Sequence, residues 1–190
     1  MKRRLFVAIN LPQDIKNYLV GLIDCLKNKN SDQDVKWVGI DNLHLTLHFL
    51  GYIEEDLVNN IKEQIAEAAE KAYGEKSTFQ LQKIGGFPNI KRTRVIFIEP
   101  KEIKGNINKI QEIIGEHLKK LNIEVAETYK PWQPHLTLGR TRQENGLSLN
   151  FLDQIKVEPK EFNVESIDLM ESHLSRKGPT YECLFKKSLK

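Results

Sequence analysis

Three features of the sequence predict an α+β fold with largely antiparallel strands. Apolar positions alternate between the two-residue period of strands and the 3.6-residue period of helices. The resulting elements come in mixed order, without the strict strand–helix alternation of a parallel doubly wound sheet. The tetrapeptide HLTL also occurs twice, at 44–47 and 135–138, which suggests two related halves folded against each other.

Taken in order, residues 4–10 read as an apolar strand. Pro12 opens a helix whose apolar positions Ile15, Leu19, Leu22, Ile23 and Leu26 recur at helical spacing. VKWVGI at 35–40 reads as a short strand, and NLHLTLHFLG at 42–51 as a longer one stopped by Gly51. A second amphipathic helix follows on Leu57, Ile61, Ile65 and Ala68, with Gly74 as its stop. Strands are expected at 78–84 and 94–99, separated by the loop chemistry of GGFPNIKRT. A third helix carries Ile103, Ile107, Ile110, Ile114, Leu118 and Leu121 on or near one face. Strands near 154–159, 162–170 and 180–186 close the chain, the last preceded by a turn in SRKGPTY.

Bulk properties narrow the function classes. The chain has 190 residues, 39% hydrophobic and 29% charged, which fits a soluble globular protein. Its net charge of +3 neither demands a nucleic acid partner nor repels one. Cys25 and Cys183 are the only cysteines and form no C-x-x-C pair, so both are expected as small buried residues. The opening MKRRLFVAINLP has only a short apolar run, broken at Asn10 and Pro12. It reads as a first strand, not a leader or membrane span, and a reducing cytoplasm is the expected location. No low-complexity linker divides the chain, so residues 1–190 are expected to form a single domain.

The repeated motif carries the chemistry. On a strand, Leu43, Leu45, Leu47 and Phe49 would face the core, and His44, Thr46 and His48 the opposite side. In the second copy Leu136 and Leu138 go inward, and His135 and Thr137 face away. Imidazole titrates near neutral pH, so two histidines across a groove can divide the roles of base and acid. Each threonine places a hydroxyl beside its histidine, able to donate to a phosphoryl oxygen. That combination fits phosphodiester cleavage. Few carboxylates lie near either motif, so no metal or cofactor is expected. His44 and His48 share the i, i+4 spacing of a helical metal pair, but HLTLH lacks the glutamate of H-E-x-x-H and sits in a strand pattern. A single His-x-Thr strand is ordinarily a solvated or hydrogen-bonded face; duplication argues for function. His117, on an exposed-looking helix, and His173, beside a turn, receive no role.

These residues resemble the 2H phosphoesterase superfamily, and within it the bacterial and archaeal RNA 2′,3′-cyclic phosphodiesterases, also called 2′-5′ RNA ligases. The likeness runs nearly end to end: RLFVAINLP at 4–12, KWVGIDNLHLTLHFLG at 36–51, GGFPNIKRTRVIFI at 85–98, PHLTLGR at 134–140 and LMESHLSRKGPTYECL at 169–184. The resemblance implies a bilobal fold, two pseudo-twofold-related lobes with a central cleft that receives one motif from each. It implies metal-independent opening of a terminal 2′,3′-cyclic phosphate to a 2′-phosphate, with RNA ends as substrate; no membrane partner is expected, and a monomer is, because a cleft between lobes needs no partner chain. By analogy His135 would activate water, His44 would protonate the leaving 3′ oxygen, and Thr46 and Thr137 would hold phosphate oxygens. The geometry of two histidines alone permits the reverse assignment. Arg140, directly after the second motif, is a candidate for phosphate or nucleotide contact or a solvated strand end. Rival readings are a phosphodiesterase for 2′-5′ linkages or small cyclic nucleotides, and a non-catalytic RNA-end-binding module. Ligation is expected only as a side activity.

Overall fold

The computed structural model of the chain describes residues 1–29, 34–71, 76–125, 132–143, 145–176 and 178–189. The two-residue periods become strands β1 (Lys2–Asn10), β2 (Val35–Trp37), β3 (His44–Glu54), β4 (Thr78–Phe87), β5 (Val95–Lys104), β6 (Leu136–Thr141), β7 (Glu161–Asn163), β8 (Ser166–Ser175) and β9 (Gly178–Ser188). The 3.6-residue periods become α1 (Gln13–Lys29), α2 (Val58–Lys71) and α3 (Ile107–Lys120). No helix among the described residues is long and apolar enough to cross a membrane.

Among the described residues one sheet holds all nine strands, in the order β7-β4-β5-β6-β3-β1-β8-β9, with β2 also pairing β6. Every pairing is antiparallel. The sheet divides into two four-strand halves, β3-β1-β8-β9 and β6-β5-β4-β7, which meet where the two motif strands touch. That seam is a single ladder pair, Leu45 opposite Leu136. β6 then continues against β2, with Lys36 opposite Arg140 and Trp37 opposite Gly139.

The main core lies between one face of this sheet and the helices. Ile15, Leu19, Leu22, Ile23 and Leu26 of α1 are buried as their spacing predicted, as are Ile61, Ile65 and Ala68 of α2. Against them lie Leu5, Val7, Ile9, Leu45, Ile96, Ile98, Leu136 and Leu138. Each such side chain contributes about 1.5–3 kcal/mol on burial. Asp14 in the first turn of α1, and Lys27 and Lys29 in its last, complement the helix dipole. The Asn106 side chain caps α3 by accepting from the Lys109 N–H, 3.1 Å away.

Several expectations need correction. Ile103 belongs to β5 and is 45% exposed; the chain turns at Gly105 (φ 95°) before α3 begins. Residues 155–160 form no strand, and the stretch expected as one strand at 162–170 is split into β7 and β8. A 3-10 turn at Ile40–Asn42 follows the short β2, and β3 runs on through Gly51, which takes φ 72° at a register shift opposite Leu5 and Phe6. Cys25 and Cys183 are exposed rather than buried: one lies on a helix flank between Asp24 and the buried Leu26, the other on the edge strand β9. Gly74 and Lys177, expected at a helix stop and a turn, lie outside the described residues.

Candidate active site

The two motifs stand at equivalent places in the two halves of the sheet. His44 opens β3, His135 immediately precedes β6, and the Leu45–Leu136 pair makes those strands neighbours. The alternation places Leu45, Leu136 and Leu138 in the core at full burial, and leaves His44, Thr46, His135 and Thr137 half-buried on the face without helices.

Both imidazoles are held by the same device. His44 Nδ1–H donates to the Asn42 carbonyl at 2.7 Å, and His135 Nδ1–H to the Gln133 carbonyl at 2.9 Å, each two residues upstream. A carbonyl only accepts, so these bonds fix the neutral tautomer with the proton on Nδ1. The basic Nε2 of each ring is left for chemistry. In His44 it meets the Thr46 hydroxyl at 3.0 Å, which donates to the neutral ring.

Aromatic rings repeat the correspondence. His44 lies 5.0 Å from Phe6 of β1 and edge-on, 5.2 Å, from Tyr181 of β9. His135 lies edge-on to Phe87 of β4 at 5.2 Å and to Phe97 of β5 at 5.8 Å. Burial among these rings pushes the His44 pKa down to about 4. The Asn42 carbonyl opposes that shift, and the charges of His135, Lys16 and Arg140 add to it. His135 is lowered by burial, against the pull of the Gln133 carbonyl and with Arg140 adding. Burial raises Tyr181, and the charges of Arg140 and Arg4 oppose it. Arg140, whose side chain is exposed, acts on both histidines and on Tyr181.

The alternation fails after Thr46. The β1–β3 register steps from Ala8–Thr46 to Val7–His48 and leaves Leu47 out of the ladder. This bulge turns His48 to the helix side, where it is buried and its Nε2–H donates to the Gln111 carbonyl of α3 at 2.7 Å. Gly115 leaves room for that ring, since a Cβ there would stand 3.1 Å from His48 Cε1. Phe49 turns the other way, 38% exposed and 6.2 Å from Phe6, so it shares the face of His44 instead of joining the core.

Sequence reasoning left out Phe6, Asn42, Phe87, Phe97, Trp132 and Tyr181. Phe87 and Tyr181 stand in the Gly-x-Phe-Pro and Gly-Pro-x-Tyr blocks, which were a readable signal for them. Nothing in the local sequence marks Asn42, whose side-chain N–H donates to the Pro179 carbonyl at 2.8 Å, or Trp132, whose indole N–H donates to the Thr46 carbonyl at 3.2 Å.

The remaining histidines sit elsewhere. His117 is buried, not exposed, between α2 and α3, with Nε2 accepting from Lys71 at 3.3 Å and Nδ1 3.9 Å from Glu67. His173, Glu171 and Glu182 bring donor atoms within 4.8 Å of one another. The Arg3 guanidinium already pairs with Glu171 and holds its carboxyl below the usual range, so these groups read as an ion-pair network.

Comparison with known proteins agrees with this geometry. Residues 23–176 match the family model of the 2′-5′ RNA ligase superfamily. The chain is 32% identical over 182 residues to the RNA 2′,3′-cyclic phosphodiesterase of Archaeoglobus fulgidus, covering 95% of this chain and 97% of that protein. It is 32% identical over 186 residues to the protein of the same name from Methanocaldococcus jannaschii, covering 95% and 98%. Among solved structures, TT0787 of Thermus thermophilus superposes with a TM-score of 0.77 at 28% identity, covering 98% of this chain and 97% of that one.

Proposed function

The chain belongs to the 2′-5′ RNA ligase superfamily, and we propose that it hydrolyses a terminal RNA 2′,3′-cyclic phosphate to a 2′-phosphate without a metal ion. The observation that carries this reading is the matched pair of imidazoles on neighbouring strands, each pinned through Nδ1–H so that Nε2 is left for chemistry. The relatives' name supplies the substrate class.

In the proposed reaction His135 Nε2 takes a proton from water as the water oxygen bonds to phosphorus. The bond from phosphorus to the 3′ oxygen breaks, and His44 Nε2–H delivers a proton to that oxygen. Thr46 and Thr137 hold non-bridging oxygens, and Arg140 offsets their charge. His44 then needs its substrate in order to act as the acid. With a pKa of about 4 in the free protein, roughly one ring in a thousand is protonated at neutral pH. An anionic phosphate beside Nε2 favours the imidazolium and restores the acid form. Work in the cytoplasm as a single-domain monomer completes the reading, since the groove needs no second chain.

The test is a short RNA ending in a 2′,3′-cyclic phosphate, incubated with protein and EDTA and followed by phosphorus NMR. A 2′-phosphate product that disappears in both His44→Ala and His135→Ala is expected. A 3′-phosphate product would reverse which ester bond breaks, and turnover that EDTA abolishes would overturn the metal-free mechanism. Binding without turnover would leave an RNA-end-binding module.

A further inference from the structure

We propose that the RNA upstream of the reacting end leaves the groove over the β2–β6 end of the sheet, its phosphates lying along Lys36, Arg140 and Arg142. This rests on the proposed function, because it extends the same groove to the rest of the substrate.

The first observation is a like-charge pair. Lys36 and Arg140 are directly opposite in the β2–β6 ladder, an arrangement that costs stability unless an anion relieves it. Arg142, just past the end of β6, is exposed and is kept beside β2 by its N–H, which donates to the Asp34 carbonyl. Among the described residues none of the three makes an ion pair. Asp34 is the nearest acid by register, and it meets this strand through its backbone: its carbonyl accepts from the Arg142 N–H and the Thr141 hydroxyl.

The second observation is position. Arg140 stands in β6, three residues after Thr137 of the second motif and opposite Lys36 of β2, so the row starts beside the motif strand and runs outward. Lys36 Nζ lies against the turn between β8 and β9, where a Cβ on Gly178 would come within 2.8 Å of it. Arg94, whose carbonyl accepts from the Thr141 N–H, and Lys91 and Arg92 are exposed at the same end and add positive potential.

At the far ends of β1 and β3 the cations are more engaged: Arg4 donates to the Ser172 hydroxyl at 2.8 Å. There Lys2 pairs with Glu54 at 3.4 Å, and Arg3 with Glu55 and Glu171. Phe49 and Tyr52 are exposed, at 38% and 66%. A polyanion gains most where cations are unpaired, because binding there releases counterions without breaking protein ion pairs.

The experiment measures binding of a short, 5′-labelled single-stranded RNA with a 2′-phosphate end by fluorescence anisotropy over a range of salt. Three phosphate contacts predict a slope of log Kd against log salt of about 2, falling to about 0.7 in Lys36→Gln/Arg142→Gln. At low salt that double variant should bind about tenfold or more weakly. Lys27→Gln/Lys29→Gln removes the same charge from the end of α1 and should move Kd less than about threefold. Equal losses in the two double variants, or a slope untouched by the first, would overturn the path. Hydrolysis of a 2′,3′-cyclic mononucleotide, which has no upstream phosphates, is measured in parallel. Absence of turnover on both this mononucleotide and a short RNA with a 2′,3′-cyclic phosphate end would sink the proposed function, while the salt slope still reports on the row.

Discussion

At the scale of single residues, the main feature is that both candidate imidazoles are half-buried and have their pKa values lowered by burial. Burial among Phe6 and Tyr181 disfavours the charged form of His44, so its pKa lies below the ordinary histidine value. A carbonyl on Nδ1 partly compensates and fixes the tautomer. The sign follows: the free protein keeps His44 neutral until the pH falls to about 4, and a phosphate against Nε2 must raise that value. Imidazole nitrogen NMR of the protein titrated with a 2′-phosphate mononucleotide tests this. Proton affinity at His44 should rise about tenfold or more on binding, with Nδ1 protonated throughout. If the ring titrates identically with and without ligand, the phosphate does not sit at Nε2 and the acid role fails.

At the scale of elements, β3 explains what the sequence could and could not tell. Its first four residues follow a strict two-residue period, so His44 and Thr46 were legible as one polar face, as were His135 and Thr137 of the second motif. The helix faces were legible for the same reason, since buried apolar residues recur with the helical period. The bulge at Leu47 was not, because a skipped ladder position depends on the register against β1 and leaves no local mark in HLTLHFLG. Ile103 misled for a related reason: it extends the apolar series of α3 backward by one step, while Gly105 breaks the chain between them. The bulge gives His44 and His48, four residues apart, opposite work. His48→Ala should keep turnover within about threefold and lower stability by about 1–3 kcal/mol, because the Gln111 carbonyl loses its partner and a cavity opens under α3. Denaturant unfolding beside a turnover assay measures both. Turnover lost from a fully folded His48→Ala protein would place that ring in the reaction.

At the scale of the whole molecule, the two motifs meet where two half-sheets share a narrow seam. Within each half the ladders are long, eight to ten register pairs in β4–β5, β1–β3 and β8–β9. Between the halves the motif strands share only Leu45–Leu136. A wide ladder there would align the strands along their length and close the space between His44 and His135; a single pair lets them diverge from one point. The cost is that few bonds fix the distance between the two histidines. Trp132 adds one, reaching from the segment before the second motif to the Thr46 carbonyl of the first. Trp132→Phe keeps a six-membered aromatic ring and removes that donor with the pyrrole part of the indole, so stability should fall by about 1–2 kcal/mol, a few degrees in Tm for a chain of this size. Turnover should fall further than this implies, by about tenfold or more, since small displacements of reacting groups are costly. The loss should appear in kcat rather than KM, because each half still binds its share of the substrate. A variant with the lowered Tm and an unchanged kcat would show that the ladder pair and the helix layer alone hold the halves in register.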